Sequence, residues 1–127
     1  MVLIALVTAA LVPATTASST TAQPLHATVA PRVGRRHHRF RVTITARQAG
    51  GAGHNYIASA RLVTGATGCV ENRDRVFPAA PVGHRVHADL DPARGDGGPE
   101  GWCPGHYAGT VSYGTRVVAR FSFRVSR

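Results

Sequence analysis

The chain holds seven histidines, two cysteines, six acids and fifteen basic residues, every basic residue an arginine. Histidine raises a metal site first. His84 and His87 lie three apart, but on a strand that spacing sends them to opposite faces. His37 and His38 are adjacent in a proline- and glycine-broken segment, and His26, His54 and His106 are scattered. No carboxylate stands beside any of them at ligand spacing, so exposed polar histidine is the simpler reading and no metal is expected.

The acids offer a calcium loop only in outline. Taking Asp89 as position 1 puts Asp91 at 3 and Glu100 at 12, as in an EF-hand. Position 5 is then Ala93, which has no ligating side chain, and the glycine needed at 6 is Arg94. An acidic turn begun by Asp91-Pro92 accounts for the segment. Nucleophilic catalysis lacks a Gly-x-Ser-x-Gly elbow, and the carboxylates give a thin basis for glycoside hydrolysis. The glycines of 48–53 lack the Gly-Lys-Ser/Thr of a phosphate loop. Neither catalytic residues nor a cofactor are expected.

Cys69 and Cys103 have no partner at Cys-x-x-Cys spacing, which argues against metal or dithiol redox chemistry. They fit a disulfide if the chain reaches an oxidising compartment. Residues 2–12 form an apolar run stopped by Pro13 and followed by small residues, the pattern of a secretory signal peptide too short to span a bilayer. Thr-Thr-Ala precedes a cut after Ala17 and after Ala22, and both stay open. No basic residue precedes the run, which fits a start further upstream or a clipped sequence. Residues 1–22 contain neither arginine nor acid, so the mature chain keeps the whole charge of +9. A secreted protein without a transmembrane anchor is expected.

These groups need elements to position them. Residues 23–37, with prolines, a glycine and a closing basic cluster, read as a flexible basic arm. From Phe40 the pattern turns to period two. Phe40, Val42, Ile44 and Ala46 oppose Arg39, Arg41, Thr43 and Thr45, and Tyr56, Ala58, Ala60 and Leu62 oppose Ile57, Ser59, Arg61 and Val63. Short runs follow at Cys69-Val70, at 75–77 and at 85–90, then longer ones over 102–113 and 117–125. In the last run Arg116, Val118, Arg120, Ser122 and Arg124 face outward. Seven strands with glycine and proline breaks, and no helical stripe, predict an all-β, immunoglobulin-like sandwich over 38–127. The antibody pattern is absent, because Trp102 adjoins Cys103 instead of lying between the two cysteines.

Residues 102–111 (Trp-Cys-Pro-Gly-His-Tyr-Ala-Gly-Thr-Val) and 120–125 (Arg-Phe-Ser-Phe-Arg-Val) resemble the C-terminal half of small exported proteins of high-GC actinobacteria. That family carries a Trp-Cys-x-Gly-x-Tyr-x-Gly motif, an upstream cysteine and a closing Phe-x-Phe-x-Val strand. The resemblance implies an immunoglobulin-like sandwich and export, and no activity.

Arginine therefore holds the functional interest. If the first, second and fifth predicted strands share one sheet, Arg39, Arg41, Arg61, Arg85 and His87 gather on one outer face. Such a face could grip an anionic polymer of the cell envelope through bidentate guanidinium contacts. GC-rich coding, which favours Arg over Lys, is the simpler origin of the count. Without an aromatic stacking stripe, specific nucleic-acid binding is not expected. A non-enzymatic monomer that binds such a polymer is the first reading. A structural or adhesive module, binding an extracellular protein through sheet edges or loops, is the second.

Overall fold

The structure, a computed structural model, describes residues 25–48, 54–65, 69, 71–92 and 101–127. The signal-peptide region, the glycine-rich loop 49–53 and positions 93–100 of the acidic loop lie outside the described residues. Among the described residues there is no helix, hence none able to cross a membrane.

Among the described residues eight strands form, where seven were expected. In chain order they are β1 (Thr28–Ala30), β2 (Val33–Gly34), β3 (Phe40–Thr45), β4 (Tyr56–Gly65), β5 (Asn72–Val76), β6 (Arg85–Leu90), β7 (Gly105–Tyr113) and β8 (Arg116–Val125). They make a three-stranded sheet, β1-β3-β6, and a five-stranded sheet, β2-β8-β7-β4-β5. Neighbours run antiparallel except β2 and β8, which are parallel. Cys69 lies outside any strand, so the expected short strand at Cys69-Val70 is not seen at its described residue.

The period-two pattern explains how the sheets meet. Phe40, Val42 and Ile44 of β3 and Val86, Ala88 and Leu90 of β6 are buried, and so are Tyr107 and Val111 of β7 and Phe121, Phe123 and Val125 of β8. Phe40 stacks on Phe123 with centroids 4.1 Å apart, which joins the two sheets through one core. Trp102, fully buried just before β7, packs in T-shaped contacts with Phe40, Tyr107 and Phe123, centroids 5.2–5.5 Å apart. Its indole Nε1 donates to the His38 carbonyl at 2.8 Å, giving the polar end of the ring a partner. Gly109 serves the same packing: a Cβ there would run into the Phe121 ring, so only glycine lets that ring lie flat across β7.

The flexible arm predicted over 23–37 is corrected over its described residues, 25–37. Leu25 is buried and its N–H donates to Val118 O at 3.0 Å. β1 pairs with β3, the chain crosses to the other sheet through Pro31, and β2 pairs with β8. These pieces of two and three residues are too short for periodicity to register, and edge positions tolerate the proline between them.

The cysteines are joined as Cys69–Cys103. Beside the bridge lies the one buried charged residue among those described, Glu71. Its Oε2 accepts from the Cys103 N–H at 2.8 Å and sits 3.0 Å from the Tyr107 hydroxyl. That hydroxyl donates to the Cys103 carbonyl at 2.8 Å. Burial, with the Glu71 carboxylate alongside, pushes the Tyr107 phenol well above its ordinary range. Glu71 Oε1 faces the Arg73 guanidinium at 3.5 Å. The knot ties the residue that precedes β5 to the segment that leads into β7.

Candidate anion-binding face

The sheets present two outer faces, and the five predicted binding residues divide between them. On the three-stranded sheet the β3–β6 register sets Arg41 opposite Asp89, Thr43 opposite His87 and Thr45 opposite Arg85. Arg41 Nε donates to Asp89 Oδ1 at 2.9 Å, and Arg39 Nε donates to Asp91 Oδ1 at 2.6 Å. Arg39 Nη1 also lies 3.8 Å from Asp89 Oδ2. The hydrogen bond from Arg41 holds the Asp89 carboxyl below the ordinary aspartate value and raises the Arg41 guanidinium. Arg39 and Arg41 are thus matched inside this face, with Asp89 and Asp91, two acids of the calcium-loop outline, as their partners. Arg85 and His87 are exposed at its far end.

Arg61 is not there. β4 runs between β7 and β5, so Arg61 stands on the outer face of the five-stranded sheet. The expectation that it joins Arg39 and Arg41 is corrected. The split first strand, read as an arm, shifts the strand count by one, and β4 then falls in the opposite sheet.

Residues directly opposite each other in a ladder share a face. One row across the five-stranded sheet is therefore Asp74, Ser59, Thr110 and Arg120. The next is Asn72, Arg61, Ala108 and Ser122, and beyond it His106 faces Arg124. Strand spacing places the Cα atoms of Arg61 and Arg120 roughly 12 Å apart, two strands across and one row along. Small side chains floor the ground between them. The result is an open trough of about 510 Å³, with Ser59, Thr110, Ala108 and Gly109 below and Arg61, Arg120, Asn72 and Asp74 at its sides.

Arg61, Arg120 and Arg124 are exposed, and among the described residues none of them forms an ion pair. Asp74, exposed on edge strand β5, forms none either. The trough thus offers guanidinium forks for an anion and acceptors and hydroxyls for polar neighbours of that anion. No group of three or more His, Cys, Asp or Glu able to hold a metal occurs among the described residues.

Sequence reading missed Arg120, Arg124, Asn72 and Asp74 as members of one site. The alternation of 117–125 already pointed Arg120 and Arg124 outward. What it lacked was the strand order that sets β8 two places from β4. Compared with family models, curated proteins and solved structures, the chain gives no match.

Proposed function

We propose that this is an exported, non-enzymatic, immunoglobulin-like module that holds an anionic polymer of the cell envelope on the outer face of its five-stranded sheet. The observation that carries the reading is the contrast between the faces. Arg39 and Arg41 are engaged by Asp89 and Asp91, whereas Arg61 and Arg120 flank a trough with no carboxylate partner among the described residues. Unmatched guanidinium on an open sheet favours an extended anion over a small, enclosed substrate.

The immunoglobulin-like reading is supported by strand order. With β1 and β2 as a divided first strand, β3 and β6 take the places of strands B and E, and β4, β7 and β8 those of C, F and G. Tyr107, near the start of β7 and donating to a carbonyl four residues upstream, has the form of a tyrosine corner. Export is supported by the apolar leader pattern and the disulfide, and kinship with the small actinobacterial exported proteins by the Trp102–Gly109 motif.

Titration with polygalacturonate and with inorganic polyphosphate at rising salt tests the reading. Binding to at least one, weakening steeply as salt rises, is expected. Absence of binding to both, or binding indifferent to salt, overturns it.

A further inference from the structure

We infer that the repeat unit held in the trough is an acidic sugar, one that pairs an anionic group with free hydroxyls, and not a bare polyphosphate or polyol phosphate chain. The inference rests on the anion-binding reading above and goes further through Asp74. A trough selected for charge alone gains nothing from a carboxylate at its side, because every anion passing it is repelled. Asp74 stands there exposed, in the same cross-strand row as Arg120, with Ser59 and Thr110 between them. It is not neutralised by an ion pair among the described residues, although Arg61 lines the same trough.

The neighbours suit hydroxyls. Asn72, opposite Arg61, offers an amide donor and acceptor, Ser59 and Thr110 offer hydroxyls, and Asp74 offers two acceptor oxygens. The acceptors therefore lie on edge strand β5, and the guanidinium groups on β4 and β8. A sugar acid laid across them would set its hydroxyls on Asp74 and Asn72 and its carboxylate on Arg61 and Arg120. The volume of about 510 Å³ admits one or two pyranose rings. An open floor of Ala108 and Gly109 lets a chain pass through without ending.

Asp74→Ala separates this from general polyanion binding, because the two ideas predict opposite signs. For polygalacturonate, losing a charge-assisted hydrogen bond outweighs relief of a screened repulsion between exposed groups, so affinity should fall by about threefold to tenfold. For polyphosphate only the repulsion is lost, and affinity should rise by about twofold or more. Methyl-esterified polygalacturonate, with hydroxyls kept and carboxylates masked, should bind at least about tenfold more weakly than the acid form. A rise in affinity for both polymers with Asp74→Ala overturns the sugar assignment and leaves anion binding standing, as does wild-type preference for polyphosphate. Failure of the wild type to bind either polymer overturns both.

Discussion

Arg41 donates to Asp89 at 2.9 Å straight across the β3–β6 ladder, and this pairing accounts for the different character of the two outer faces. The same arrangement, a cation set directly opposite an acid, does not recur where Arg61 meets Asn72 on β4 and β5. On one sheet Arg39 and Arg41 are taken up by Asp89 and Asp91, with Arg85 exposed at the far end. The other leaves guanidinium groups available, with Asp74 one row away from Arg61.

The Arg41–Asp89 pair should be visible in acid stability. A carboxyl held below its ordinary value contributes stability that is present above the unfolded value, near pH 4, and is lost as pH falls through the lower folded value. Asp89→Asn should flatten that part of the acid limb and change little near neutrality, in urea unfolding followed between about pH 2 and pH 6. An unchanged acid limb contradicts the pairing.

The disulfide closes a loop of 34 residues, for which chain entropy gives a contribution of about 3–4 kcal/mol. The Cys69→Ser/Cys103→Ser double variant should therefore unfold at clearly lower denaturant with an intact core signal from Trp102. A loss below about 1 kcal/mol would mean that the loop is already restrained without the bridge.

The Glu71 knot should behave as one unit. Tyr107→Phe strips the hydroxyl from between the Cys103 carbonyl and Glu71, and should cost about 1–3 kcal/mol. Glu71→Ala leaves the Cys103 N–H without its acceptor and should cost a similar amount. Because both act on the same buried atoms, the double variant should cost less than the sum of the singles in a double-mutant cycle. Strict additivity contradicts the shared network.

Gly109→Ala should destabilise by about 1–3 kcal/mol, since the added methyl meets the Phe121 ring. Thermal unfolding measures this. Pairing it with Phe121→Leu should recover part of the loss, whereas no recovery would place the strain elsewhere.

Much of the fold is legible in the sequence because long strands announce themselves. Phe40, Val42 and Ile44, and likewise Phe121, Phe123 and Val125, alternate cleanly and are buried as their pattern requires. Pairing of Cys69 with Cys103 follows from their being the two cysteines of the chain. The arginine face is not legible for a topological reason. Two short edge strands around Pro31 carry no periodic signal, and a strand count without them places Arg61 in the three-stranded sheet. Glu71 was equally hidden, because its burial depends on Cys103 and Tyr107, more than thirty residues away in the chain.

Binding by the five-stranded face distinguishes its arginines from those of the three-stranded face. Affinity for polygalacturonate is measured by calorimetry at low salt for Arg61→Gln/Arg120→Gln and for Arg39→Gln/Arg41→Gln, each removing two charges. The first pair should lose about tenfold or more in affinity with a shallower salt dependence, and the second should bind near wild type. Equal losses would reduce the effect to net charge, and a greater loss from Arg39 and Arg41 would contradict the assignment of the face.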